Sequence, residues 1–154
     1  MQVKAMLLRA PDASGTRVAA PERTLIFAPK GRDAIVASKI LKDAGLDSNV
    51  CNSFVGFVRE IGGGAGAALL TEEAIREHDS RELAAWVADQ PAWSDFPFVV
   101  LTKHGGGLER NPTAAQFVQS LGNVTFLERP FHPTTLVSVI EACLRGRRRQ
   151  YEFR

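Results

Sequence analysis

The side chains with the greatest chemical reach in this sequence stand just after short apolar runs. Thr71, Glu72 and Glu73 follow Ala67–Leu70, Thr102 and Lys103 follow Phe98–Leu101, and Glu128 and Arg129 follow Val124–Leu127. Such a set of hydroxyls, carboxylates and a guanidinium can hold an anion, and arginine is the bidentate partner of phosphate and carboxylate groups. It does not make a catalytic set. No Ser-His-Asp or Cys-His arrangement has supporting local context, so hydrolase chemistry has no purchase. His104 and His132 have no Cys, Asp or second His at ligand spacing and read as surface residues rather than metal ligands. Gly62-Gly63-Gly64-Ala65-Gly66 precedes an apolar run instead of joining a strand to a helix, and no Gly-Lys-Ser/Thr follows, so it reads as a turn and not a phosphate loop. Gly105-Gly106-Gly107 reads as a spacer before the next helix, or as a loop able to reshape.

Composition sets bounds on what these residues serve. The chain has 154 residues, 45% of them hydrophobic and 23% charged, which is one ordinary globular domain. Cys51 and Cys143 lie in apolar periodic segments and read as small buried hydrophobes, not as a disulfide or metal pair. No apolar run reaches the roughly 18–20 residues that span a bilayer. Met1–Leu8 lacks the apolar core and cleavage site of a signal peptide, so a cytoplasmic location is the expectation. A net charge of +2 does not argue for nucleic acid. Arg145, Arg147, Arg148 and Arg149 are expected to be a solvated helix end that complements the macrodipole.

The elements that must position these groups follow from periodicity. Residues 1–22 read as a lead-in, broken by Pro11, Gly15 and Pro21. Thr24–Ala28 is a strand buried on both faces. Asp33 to Ala44 is a helix with Val36, Ile40, Leu41 and Ala44 inward, capped by Gly45. Ser48–Asn52 is a second strand, and Ser53 caps a helix carrying Phe54, Phe57, Val58 and Ile61. After the third run, Asp79-Ser80-Arg81-Glu82 forms a capping box for a helix with Leu83, Trp86 and Val87. After the fourth, Asn111-Pro112 opens a helix with Ala114, Phe117, Val118 and Leu121 inward. After the fifth, Pro133 opens a helix that buries Leu136, Val139, Ile140, Cys143 and Leu144. Five βα units of this length predict a flavodoxin-like (βα)5 doubly wound fold: a five-stranded parallel sheet with helices on both faces. Ligands of such folds sit beyond the carboxyl ends of the strands, where the residues named above stand.

Over residues 23–146 the sequence resembles the response-regulator receiver domain of two-component signalling. The resemblance is carried by Phe126-Leu127-Glu128-Arg129-Pro130-Phe131, followed by Pro133 and a helix, and by the fourth run ending in Thr102. Asn123–Leu136 and the arginine-rich tail also look similar to a receiver-like segment at the N-terminus of bacterial sensor histidine kinases. The receiver reaction needs an aspartate after the third strand, an acidic pair after the first to hold Mg²⁺, a Thr/Ser after the fourth and a lysine after the fifth. The resemblance puts the acidic pair on Ala28 and Pro29, neither of which can bind a metal, and the acceptor on Thr71, which lacks the carboxylate. It keeps the hydroxyl as Thr102, turns the lysine into Arg129 and puts the switch aromatic on Phe126. This implies a degenerate pocket with no cofactor and no metal. Glu72 and Glu73 read as a solvated lead-in to the next helix. The alternative is that Glu72 turns into the pocket, pairs with Arg129 and imitates the phosphorylated state. His78-Asp79-Ser80-Arg81 lacks the proline and long helix of a phospho-accepting histidine motif and reads as a helix start.

Two functions follow as expectations. The first is a pseudo-receiver: not an enzyme, but an interaction module that dimerises or meets other two-component proteins without nucleic-acid or membrane contact. The resemblance implies self-association through the last two helices, around Gln116, Gln119, Ser120, Ser138 and Glu141. Residues 147–154 would then begin a basic linker helix toward a kinase module. The second is an α/β domain that binds a small molecule or anion in the strand-end cleft, using Thr71, Thr102 and Arg129.

Overall fold

The computed structural model describes residues 22–104 and 112–154. The readings of residues 1–21, of Gly105–Gly107, of the Asn111 cap and of Ala114 and Phe117 as inward-facing lie outside the described residues. The elements alternate as β1 (Thr24–Phe27), α1 (Asp33–Asp43), β2 (Ser48–Val50), α2 (Phe54–Gly62), β3 (Ala67–Thr71), α3 (Glu72–Arg76), α4 (Arg81–Ala88), β4 (Phe98–Thr102), α5 (Pro112–Leu121), β5 (Val124–Glu128) and α6 (Pro133–Glu152). The five strands form one sheet in the order β2-β1-β3-β4-β5, and every pair is parallel. The doubly wound flavodoxin-like architecture expected from the sequence is therefore the one present.

The sheet divides the core into two layers, because successive side chains of a strand point to opposite faces. Leu25, Phe27, Ala68, Leu70, Phe98 and Val100 pack with Phe54, Phe57 and Ile61 of α2, Leu83 of α4 and Leu121 of α5. Ile26, Leu69, Val99 and Leu101 pack on the other face with Ala37 and Leu41 of α1 and with Leu136, Ile140 and Leu144 of α6. Every residue of β1, β3 and β4 is buried, which explains why those runs read as continuous and not alternating. Phe27 is 1% exposed and stacks on Phe57 at 5.6 Å; burying a side chain of this size is worth about 2–3 kcal/mol.

Local signals account for most boundaries. Ser53 Oγ accepts from Gly56 N at 3.0 Å and starts α2. Gly45, at φ +78°, ends α1, where its N–H and that of Leu46 donate to the carbonyls of Lys42 and Leu41. Pro133 stands in the first turn of α6, and the His132 ring accepts from Thr134 N.

Four expectations are corrected. A short helix, α3, follows β3 directly and was not anticipated. The capping box at Asp79–Glu82 does not form: Ser80 makes no capping bond, and the Asp79 carboxylate instead accepts from the backbone and guanidinium of Arg81. Val36 and Val118 are 41% and 40% exposed instead of buried, and Ala37 takes the inward place in α1. Finally, Arg147 does not belong to a solvated helix end: α6 runs on to Glu152 and buries it. Arg147 is 6% exposed. Its guanidinium lies 5.5, 5.3 and 4.9 Å from the rings of Trp93, Phe96 and Tyr151, and its Nη1 donates to Ser94 Oγ and Gln150 Oε1. Gln150 also accepts from Asp95 N and donates to Asp95 O. Part of the basic tail is thus an anchor for the loop before β4 and not a solvated end.

Candidate functional site

The carboxyl ends of β3, β4 and β5 lie side by side in the sheet, so the residues that follow them meet. Thr71 ends β3 and is 4% exposed; its Oγ1 accepts from Ala74 N at 3.2 Å. The side chain at the acceptor position is therefore the N-cap of α3. Glu72 and Glu73 fill the first turn of that helix, where carboxylates are favoured by the helix dipole.

Arg129 is the centre of the site. Its backbone N and its Nε both donate to the Thr102 carbonyl, at 2.9 and 3.2 Å. Its Nη2 donates to both oxygens of Glu73, at 2.9 and 2.7 Å, and its Nη1 donates to Asp33 Oδ2 at 3.0 Å. The side chain is 20% exposed, with Glu73 at 19% and Asp33 at 30%. The planar guanidinium fits this task because it can address two carboxylates and a carbonyl at once, which an ammonium cannot do with the same geometry. The Arg129–Pro130 peptide is cis.

Glu72 does not make this pair. It is 2% exposed, and its Oε1 accepts from Lys103 N at 3.0 Å while its Oε2 lies 3.4 Å from Arg76 Nη1. The expectation of a solvated Glu72-Glu73 lead-in is corrected at both positions, and the pairing considered for Glu72 belongs to Glu73. The physical reason is α3. Because the helix starts immediately after Thr71, Glu72 turns toward β4 and Glu73 toward β5. The first turn of α3 thereby ties three strand-end loops: the one after β1 through Arg129 and Asp33, the one after β4 through Glu72, and the one after β5 through Glu73.

The electrostatics follow from these contacts. Burial works against the charged form of Glu73, but the hydrogen bonds and charge of Arg129 outweigh it and hold the carboxyl below its ordinary range. Burial also disfavours the Arg129 cation, and Glu73 and Asp33 outweigh it, so the guanidinium is held more firmly protonated than usual. Elsewhere, burial pushes the Cys143 thiol up to about 11, and burial, with Glu60 adding to it, raises that of Cys51. Both are free cysteines in half-buried places, as the small-hydrophobe reading requires.

Ala28 is 4% exposed and Pro29 is exposed, so the place of the acidic pair offers no oxygen side chain. Thr102 is fully buried, and its Oγ1 has no hydrogen-bond partner among the described residues. Phe126 is half-buried, opposite Val100 in the β4–β5 register, and packs on the α2/α4 side of the sheet. His104 lies 3.8 Å from Glu128, and His132 caps α6. His78 stacks on Phe54 and its Nδ1 lies 2.7 Å from the Ala74 carbonyl, so it closes α3. Two residues that engage Arg129, Asp33 and Glu73, are not assigned to the pocket by the sequence. Thr71-Glu72-Glu73 carried a signal for the second, since a hydroxyl followed by two acids is a helix start. Asp33 stands 96 positions from Arg129, and no local pattern could have joined them.

Beside the Arg129 bridge a cleft of about 600 Å³ opens between α1 and the start of α6. Its polar side is Asp33, Glu73, Lys103, His104 and Arg129, and its apolar side is Val36, Ile40, Phe131 and the prolines Pro130 and Pro133.

No protein-family model matches the chain, and no curated protein matches it. Solved structures do. NtrX from Brucella abortus in complex with ADP superposes with a TM-score of 0.67 at 19% identity, over 85% of this chain and 28% of that one. Full-length FixJ from B. japonicum superposes with a TM-score of 0.66 at 24% identity, over 84% of this chain and 60% of that one. The chain thus spans less than two thirds of each of these two proteins. The signal receiver domain of a Luxo repressor protein from Vibrio parahaemolyticus gives 0.67 at 18% identity, over 86% of this chain and 96% of that domain. The chain has the five-stranded flavodoxin-like fold that receiver domains have.

Proposed function

We propose that this chain is a receiver-fold interaction module of two-component signalling whose pocket is closed by its own side chains and takes no phosphoryl group. The observation that carries this reading is the engagement of Arg129 by Glu73 and Asp33. In the receiver reaction a cation after β5 waits for the phosphoryl oxygens. Here that cation is already bound by two carboxylates, the acceptor position is a threonine committed to capping α3, and Ala28 and Pro29 supply no metal ligand. An incoming phosphoryl group would have to displace Glu73, and no side chain is placed to receive it covalently.

Such a module acts through its surfaces. Gln116, Gln119 and Ser120 on α5 and Ser138 and Glu141 on α6 are exposed, with Val118 adding apolar area. They flank the edge strand β5, and the proposed homodimer uses this face. The proposed parent, a sensor histidine kinase with this module at its N-terminus, rests on the resemblance of Asn123–Leu136 to that segment. Sedimentation velocity over a range of concentrations, with and without beryllofluoride and Mg²⁺, tests the proposal. The expected result is a dimer whose equilibrium is the same in both conditions. A strict monomer, or a dimer that forms only with beryllofluoride, would contradict it.

A further inference from the structure

The cleft beside Arg129 has capacity that the ion-pair bridge does not use. Its volume of about 600 Å³ lies within the range of small-molecule sites, which combine apolar walls with a few convergent polar groups. The apolar wall is made by Val36, Ile40 and Phe131. Val36 is 41% exposed although it lies on a helix whose inward stripe is filled by Ala37 and Leu41, so its side chain serves the cleft and not the core.

The polar groups can be sorted into those already satisfied and those still open. Both oxygens of Glu73 are bound by Arg129, and the guanidinium is committed to Glu73, Asp33 and the Thr102 carbonyl. Two groups remain. Only Oδ2 of Asp33 is bound; its Oδ1 accepts nothing among the described residues, and the side chain is 30% exposed. Lys103 is exposed, and its ammonium has no ion-pair partner among the described residues. Among the described residues, one open carboxylate oxygen and one open ammonium therefore border the same cleft. A purely anionic ligand would meet the net negative trio of Asp33, Glu73 and Arg129, and a purely cationic one would meet Lys103. A ligand that carries both charges satisfies both groups, and like charges are kept apart.

We infer that the cleft binds a small amphipathic zwitterion of the class of an apolar α-amino acid. Its ammonium binds Asp33, its carboxylate binds Lys103, and its side chain lies against Val36, Ile40 and Phe131. This inference does not depend on the phosphoryl question, because none of these contacts involves Thr71.

Calorimetric titration with L-leucine and L-phenylalanine tests it, with N-acetyl-L-leucine lacking the ammonium and L-leucinamide lacking the carboxylate. The expected result is saturable binding of at least one free amino acid, and binding at least tenfold weaker for each blocked form. Lys103→Ala and Val36→Trp should each abolish binding while leaving the melting temperature unchanged, since both residues are exposed. Absence of saturable binding by either amino acid, equal binding of a blocked form, or full binding by Val36→Trp would overturn the inference.

Discussion

At the scale of single residues, Arg129 after β5 decides the character of the site. Its guanidinium is engaged by Glu73 and Asp33. Hydrogen bonds to charged groups contribute about 1.5–3 kcal/mol each when partly buried. In a double-mutant cycle, Arg129→Met and Glu73→Gln should therefore couple by about 1–2 kcal/mol in urea unfolding. The pH dependence has a definite sign. Glu73 is held below its ordinary range in the folded state, so its contribution is complete above the unfolded carboxylate pKa of about 4.3 and is lost as pH falls through the lower folded value. Unfolding free energies measured between pH 7 and pH 3 should fall more steeply for the native chain than for Glu73→Gln. Parallel curves would show that the bridge contributes nothing.

At the scale of elements, α3 and α6 depart most from what periodicity shows. β1, β3 and β4 are legible because runs buried on both faces have no other reading in a chain that alternates them with amphipathic helices. α2 is legible because Ser53 and its four buried apolar residues agree. α3 was not, because five residues are too few to display a helical period, and only the Thr71-Glu72-Glu73 start marks it. The burial of Arg147 in α6 is hidden from the sequence for a different reason. An arginine at a helix end looks the same in sequence whether water or an aromatic cage surrounds it. Trp93 and Phe96, 54 and 51 positions before Arg147, are what bury it. Arg147→Ala should lower stability by about 2 kcal/mol, from the lost cation–π contacts and hydrogen bonds, and should move Trp93 fluorescence. Arg147→Lys should not restore it, because an ammonium cannot stack on the rings while reaching Ser94 and Gln150. A variant as stable as the native chain would mean that the last turns of α6 are held by other contacts.

At the scale of the whole molecule, the fold was readable and the site only in outline. The strand-end positions named from sequence do converge, because a parallel sheet brings the ends of β3, β4 and β5 to one edge. Which carboxylate reaches Arg129 was not readable, since it depends on one turn of α3 and on Asp33 at the start of α1. What results is a receiver fold in which the strand-end loops are tied to one another by ion pairs internal to the chain. We propose that this pocket forms no phosphoryl adduct, and intact-protein mass after incubation with acetyl phosphate and Mg²⁺ tests this most directly. The mass should be unchanged, in native protein and in Glu73→Gln alike. A stoichiometric phosphoryl adduct on the native chain, removed by Thr71→Ala, would contradict the account.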